Sequence, residues 1–155
     1  MKNILTYIFL ICSIFNSSAI YADIEKGKWN FVKDTDYCYI GSMPIEEIIP
    51  EGKNRDQTYI LVYRINKNPN SIVQIVAGYP FKKEKKVSVS IDSSNFLFYS
   101  EDDTAWTKDD DTVIYAMKKG NELTINGESS RGTKTLDTYT LKGFTSAYNK
   151  LIKDC

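Results

Sequence analysis

The sequence predicts an all-β fold, a β-sandwich with one or two short helices. Apolar and polar residues alternate with a period of two along most of the chain from residue 28 onward. Clusters of Gly, Pro, Asn, Asp and Ser interrupt this alternation about every 8–12 residues, as turns do between short strands. About eight short strands joined in this way are typical of two packed antiparallel sheets.

The first hundred residues contribute six of the predicted strands. These strands cover residues 28–33, 37–43, 57–67, 71–81, 87–92 and 96–100. The clearest is 87–92, in which Val87, Val89 and Ile91 alternate with serines. The polar stretch 44–56 contains two prolines and a glycine, and we expect it to be a loop.

The remainder of the chain adds two helices and a hairpin. A helix is predicted within residues 108–121, because three aspartates precede apolar residues at helical spacing and two lysines and a glycine follow. Residues 121–130 and 133–143 alternate again and form the arms of a predicted β-hairpin. A second helix is predicted over residues 144–155. Its apolar stripe consists of Phe144, Tyr148 and Leu151.

The N-terminus has the pattern of a secretory signal peptide covering residues 1–22. A lysine precedes a mainly apolar run over residues 4–15, and small residues follow up to Ala22. We expect cleavage after Ala22, with Ala19 as the alternative, which leaves one domain of residues 23–155. A transmembrane anchor is the other interpretation, but the run is shorter than the roughly 20 residues that span a bilayer. The expected location is the periplasm, with outer-membrane association or secretion as further possibilities.

Two cysteines remain after signal cleavage, Cys38 and the C-terminal Cys155. An even number of cysteines in an exported chain predicts a disulfide bond, whereas two free thiols are the alternative. A bond between Cys38 and Cys155 would enclose nearly the whole domain, and a loop of this size contributes about 4–5 kcal/mol in the chain-entropy model.

The composition excludes several classes of function. The chain has no histidine, which rules out a Ser-His-Asp triad, a Cys-His pair and a histidine zinc site. Removal of the signal peptide leaves 19 basic and 20 acidic residues, because Lys2 is the only charge lost from 20 of each. No basic excess therefore points to nucleic acid, and no motif implies a cofactor.

Several stretches occur in an order that resembles a known family. These are VAGYPF (76–81), DDTAW (102–106), YAMKKGN (115–121), SRGTKTLDTYTLKGF (130–144) and the terminal cysteine. Together they resemble the invasion-associated locus B family of exported bacterial proteins. The resemblance implies an immunoglobulin-like β-sandwich in the periplasm or cell envelope, and it carries no set of catalytic residues. It also supports the pairing of Cys38 with Cys155 and singles out Arg131 in the hairpin motif.

The acidic segment 100–111 is the strongest candidate site in the sequence. Asp102 and Asp103 precede Trp106, and Asp109 follows it with two more aspartates. One interpretation is structural: an aspartate caps the predicted helix and the others form a solvated turn. One alternative is a calcium site that stabilises an adhesin-like domain, although the EF-hand spacing is absent. The other is a small periplasmic hydrolase that uses Asp102, Asp103 and Asp109.

Two basic features are candidate contact sites. Arg131 lies at the predicted hairpin tip, where it either anchors an interface or pairs with an acidic residue of the 101–103 turn. Residues 82–86, KKEKK, either meet an anionic partner or form a charged connection that protects a strand edge.

Aromatic residues are abundant and permit two interpretations. Trp29, Trp106, Tyr63, Tyr79 and Tyr139 are predicted either to pack in the core or to form a carbohydrate-binding platform.

The predicted function is that of a non-enzymatic envelope protein, with Trp106, Arg131, Asp102 and Asp103 as its interaction surface. The expected partner is an unidentified envelope or surface protein. We expect no nucleic acid partner, no metal, and no membrane span after signal cleavage.

Overall fold

Ten β-strands and two α-helices make up residues 24–66 and 68–155, the part of the chain that this computed structural model describes. The predicted signal peptide, residues 1–22, lies outside the described residues. The strands are β1 (Asn30–Lys33), β2 (Tyr37–Ser42), β3 (Glu46–Ile48), β4 (Tyr59–Ile65), β5 (Ile72–Val76), β6 (Val87–Ile91), β7 (Ser94–Glu101), β8 (Thr104–Trp106), β9 (Glu122–Glu128) and β10 (Lys134–Thr140). The helices are α1 (Asp110–Lys119) and α2 (Phe144–Asp154).

All the strands belong to one antiparallel sheet in the order β1-β2-β4-β5-β8-β7-β6-β9-β10-β3. The long strand β7 joins its two halves, because residues 94–98 pair with β6 and residues 99–101 pair with β8. The sheet curls, so that strands from both halves and the two helices bury their side chains in a common core. The immunoglobulin-like sandwich is therefore not confirmed: the hydrogen bonds form one continuous curled sheet.

The predicted strands and helices are present, but two strands were overlooked. The stretch 44–56 was expected to be a loop, yet it contains β3, which pairs with β10 at the sheet edge. The acidic segment contains β8, which pairs with both β5 and β7. Each has three residues, too few to show a period, and all three side chains of β3 are exposed. Their strand conformation depends on pairing with neighbours rather than on a local pattern.

The helices close the core over the sheet. Asp109 caps α1, and α2 packs against β1, β2 and β4. The ring of Phe144, at the start of α2, meets that of Trp29 edge-on at 4.9 Å between centroids. Trp29 in turn donates a hydrogen bond from Nε1 to the carbonyl of Thr140 at 2.9 Å. Trp29 is therefore a core residue, as the packing interpretation predicted.

The disulfide expected from the cysteine count is present. Cys38 on β2 is bonded to Cys155, the residue after α2, with 5.8 Å between their Cα atoms. Cys38 is fully buried, so the bond ties the end of the chain directly to the core. None of the helices in the described residues has the length and apolar character needed to cross a membrane.

Candidate functional site

One outer face of the sheet carries aromatic side chains from strands that are far apart in the chain. On β4, Ile60 and Val62 face the main core, and the alternation turns Tyr63 to the opposite face, where it packs beside a second cluster that contains the buried Leu61. Trp106 on β8 is paired with Tyr99 on β7, and their rings lie 6.1 Å apart at an angle of 30°. We call these three outward-facing residues, Tyr63, Tyr99 and Trp106, the aromatic row.

Two depressions lie on either side of Tyr63, which lines both. The first, of about 400 Å³, is mainly aromatic and aliphatic. Its walls are Asp36, Tyr37, Tyr39, Leu61, Tyr63, Ile65 and Gln74. The second, of about 380 Å³, contains the rest of the aromatic row. Its walls are Tyr63, Ile72, Tyr99, Glu101, Trp106, Thr107 and Asp110. Together they form a concave aromatic surface with carboxylates at its rim.

Burial and a neighbouring carboxylate both act on the Tyr63 hydroxyl of the aromatic row. Burial raises the pKa of Tyr63, and the negative charge of Asp110 adds to that effect. Burial also raises the pKa of Asp110, although its carboxylate accepts a hydrogen bond from the Val73 amide at 2.8 Å. The ammonium of Lys86 lies 5.9 Å from the centre of the Tyr99 ring. The row therefore has a carboxylate, that of Asp110, and an ammonium, that of Lys86, beside its rings.

The predicted site residues Asp102 and Asp103 form the turn between β7 and β8. Their backbone carbonyls accept hydrogen bonds from the amides of Phe81 at 2.8 Å and Ala77 at 2.9 Å, respectively. Asp102 adopts a positive φ of 52°. These contacts give the turn a structural role, since they fasten it to the chain that follows β5.

The three aspartates at positions 109–111 are separated from this turn by β8 and lie at the start of α1. Asp109 accepts hydrogen bonds from the amide of Thr112 at 3.1 Å and from its hydroxyl at 2.6 Å. These bonds lower the pKa of Asp109, with the hydroxyl bond as the larger cause. Within the described ranges, no group of three or more His, Cys, Asp or Glu side chains is arranged to hold a metal ion. The helix-cap interpretation of Asp109 is confirmed, and the calcium alternative gains no support.

The two basic candidates differ in their contacts. In the 82–86 connection, Lys82 and Lys85 both bind the Glu128 carboxylate, the former at 2.7 Å. The hydrogen bonds from Lys82 and Lys85 lower the pKa of Glu128 to about 2. Arg131 is exposed after β9 and has no ion pair to Asp102 or Asp103 in the part of the chain described. The connection is thus partly neutralised, whereas Arg131 is not.

The remaining aromatic candidates lie elsewhere. Tyr139 is fully buried and its hydroxyl lies 3.4 Å from that of Thr58, so it cannot form a platform. Burial raises the pKa of Tyr139. Tyr79 is half-buried, and its hydroxyl is 2.7 Å from the Thr135 hydroxyl. Of the five aromatic candidates, Tyr63 and Trp106 belong to the aromatic row.

The sequence did not predict a buried ion pair that joins the loop after β3 to the strands β3 and β10. Arg55 lies in the expected loop, and its guanidinium binds the carboxylates of Asp137 on β10 and Glu47 on β3. Burial alone would lower the pKa of Arg55, but the hydrogen bonds that its guanidinium donates to these carboxylates raise it. No local signal identifies such a partner, because 82 residues separate Arg55 from Asp137. Tyr99 was also missed, although its alternation with the buried Phe98 placed it on an outer face.

The comparisons with known proteins agree with the motifs. The family model of the invasion associated locus B (IalB) protein matches residues 33–152. The chain belongs to the IalB family. Its similarity extends to the crystal structure of invasion associated protein B from Bartonella henselae, with a TM-score of 0.59 and 17% sequence identity. That match covers 83% of this chain and 94% of the other, and at this identity it establishes a shared fold. No curated protein matches.

Membership of the IalB family confirms the resemblance predicted from the ordered motifs. IalB is not a known enzyme family. The matched range also contains the whole aromatic row, the disulfide residue Cys38 and Arg131.

Proposed function

We propose that this IalB family protein is a non-enzymatic exported binding module of the cell envelope. We further propose that the aromatic row is the surface with which it contacts a protein partner. The observation that carries the proposal is the row itself: Tyr63, Tyr99 and Trp106 come together on one concave outer face.

The composition of this face supports contact with a protein. Tyr and Trp are enriched at protein interfaces and in the residues that contribute most to binding. On β7, Leu97 is 67% exposed and Tyr99 is 39% exposed, so apolar area remains available to a partner. The outer face continues to Ile65 at the end of β4, which is 50% exposed. Exposed side chains of this size on one face favour an interaction surface over packing alone.

The positions of the three candidate carboxylates support the non-enzymatic part of the proposal. Among the described residues, Asp102 and Asp103 contribute backbone carbonyls to a turn, and Asp109 caps a helix. A hydrolase with these three carboxylates is therefore less well supported than a binding module. The Bartonella henselae relative is described as invasion associated. A module of this kind acts, in one setting, by contacting a protein on the surface of another cell.

Export is tested by the intact mass of protein isolated from cells, measured with and without reductant. We expect residues 1–22 to be missing and two hydrogens to be absent, because Cys38 and Cys155 are bonded. A retained N-terminus with two thiols that react with a label contradicts both the periplasmic location and the oxidised state.

Protein contact is tested by photo-crosslinking in intact cells. A photoreactive phenylalanine analogue replaces Tyr99, and in a matched control it replaces Tyr115, an aromatic residue of α1 that is 58% exposed. We expect a discrete adduct from position 99 that position 115 does not give. The same adduct should disappear when Trp106→Ala is added.

The proposal fails if position 99 gives no adduct in cells that export the protein. It also fails if both positions give the same adducts, because contact would then follow exposure alone. An adduct that persists unchanged in the Trp106→Ala background removes the aromatic row from the interaction.

A further inference from the structure

A further cavity, of about 210 Å³, lies in the half of the sheet that contains β3, β9 and β10. One wall is the loop after β3, which carries Lys53 and Asn54, and the other is the turn between β9 and β10. The turn is fixed by hydrogen bonds from the Ser130 amide to the Pro80 carbonyl and from the Ser129 amide to the Thr133 carbonyl, both at 2.8 Å. We call this cavity the basic pocket.

The walls of the basic pocket carry positive charge and no carboxylate. Lys53, Arg55 and Arg131 line it, and none of its other lining residues is acidic. Arg55 is paired with two carboxylates that do not line the pocket, those of Asp137 and Glu47. In the described part of the chain, the side chains of Lys53 and Arg131 form no ion pair or hydrogen bond. Lys53 and Arg131 are therefore the lining cations without a carboxylate partner among the described residues.

This charge pattern differs from that of the lysine-rich connection. Lys82 and Lys85 share the carboxylate of Glu128, which satisfies both of them within the molecule. Lys53 and Arg131 come from loops 78 residues apart in the chain (131 minus 53), yet the fold brings both to one cavity. Two cations close together repel each other unless an anion lies between them.

Neutral donors complete the lining. The Asn54 amide and the hydroxyls of Ser130 and Thr133 face no hydrogen-bond partner within residues 24–66 and 68–155, which leaves them available to a ligand. Arg55 and Tyr79 also line the pocket, and the guanidinium carbon lies over the Tyr79 ring, 5.9 Å from its centre. Tyr79 reaches this place because Gly127 has no side chain, since a Cβ there would overlap its hydroxyl.

We propose that the basic pocket binds a dianionic tetrahedral oxyanion, a phosphate group that is either a free ion or the end of an ester. An arginine guanidinium offers paired N–H donors to such a group, and a lysine ammonium contributes a point charge. The amide and the two hydroxyls supply donors for its remaining oxygens. Because none of these residues belongs to the aromatic row, the site is separate from the proposed protein contact.

The test is a titration of the oxidised mature protein followed by the backbone amide signals of residues 53–55 and 129–133. The probes are inorganic phosphate, glycerol 3-phosphate and acetate, each at constant ionic strength, since salt screens exposed charges. The test variant is Lys53→Gln/Arg131→Gln. The controls are Lys83→Gln/Lys134→Gln, a change of equal charge at exposed lysines that do not line the pocket.

We expect phosphate to shift these amide signals of the wild-type protein in a saturable way. The Kd for phosphate should rise ~10-fold or more in the test variant but less than ~3-fold in the control variant. The reason is that a charge-assisted hydrogen bond contributes more to binding than a distant charge. Tighter binding of glycerol 3-phosphate assigns the site to an ester, and tighter binding of inorganic phosphate assigns it to the free ion. The proposal is overturned if no amide shift saturates, if acetate binds as tightly as phosphate, or if both variants lose affinity equally.

Discussion

Removal of the Cys38–Cys155 bond by Cys155→Ser should destabilise this protein more than most single substitutions. The bonded residues are 117 positions apart, so the bond restricts nearly the whole unfolded chain. In the chain-entropy model a loop of this length corresponds to about 5 kcal/mol at 25 °C. Typical domains unfold with only about 5–15 kcal/mol, so the loss removes a large share of the stability.

The assay is urea unfolding of the oxidised wild-type protein and the Cys155→Ser variant, followed by tryptophan fluorescence. We expect the free energy of unfolding to fall by about 3–5 kcal/mol and the melting temperature to fall by about 10–15 °C. The denaturant slope should increase, because the unfolded chain without the bond exposes more surface.

Reductant supplies the internal control. It should lower the stability of the wild-type protein to that of the variant and leave the variant unchanged, because Cys38 is then already a free buried thiol. A loss below about 1 kcal/mol would refute the reasoning, since the bond would then not be what restricts the unfolded chain. If the denaturant slope is the same in the variant and the wild-type protein, only the explanation through the unfolded state is refuted.

Three further predictions concern the half of the sheet around the basic pocket. Asp137→Asn should cost about 3 kcal/mol in urea unfolding, because it leaves the Arg55 side chain, 3% exposed, with Glu47 as its one carboxylate partner in the described residues. Gly78→Ala should cost about 2 kcal/mol more than Gly132→Ala in the same assay. Both glycines have a positive φ, 72° and 83°, so both substitutions strain the backbone. A Cβ at position 78 would in addition overlap a backbone carbonyl, whereas a Cβ at position 132 would have no neighbour within 4 Å. The pKa of Glu128 is lowered from 4.5 to about 2, so its stabilising contribution is complete above pH 4.5 and is lost as the pH falls towards 2. Thermal unfolding in that pH range should show a smaller decline for Glu128→Gln than for the wild-type protein.

Elements with their own periodicity were predictable, and elements that depend on a partner were not. The strand β6 shows strict alternation in the sequence, and α1 shows both a capping aspartate and helical spacing. The strand β3, by contrast, is exposed throughout and exists because it pairs with β10. A residue pattern records which way a side chain points relative to its neighbours, but it does not record which strand lies beside it.

Single residues of the candidate sites were likewise predictable, but their neighbours in space were not. The sequence identified Trp106 and Arg131 as candidates, and the structure places them on different halves of the sheet. Trp106 is joined there by Tyr99, and Arg131 is joined by Lys53. Neither partnership follows from spacing along the chain, since each depends on how the sheet curls and how its loops meet.

The sequence by itself determined the class of secondary structure, the even pair of cysteines, the family motifs and the absence of histidine chemistry. These are properties of composition and short-range order, which the chain carries whether or not it is folded. Only the tertiary structure decided that the strands form one curled sheet, that an aromatic row lies on its outer face, and that Arg55 is buried against Asp137. The reason is that long-range pairing is selected by the packing of the whole core, to which each residue contributes a small part.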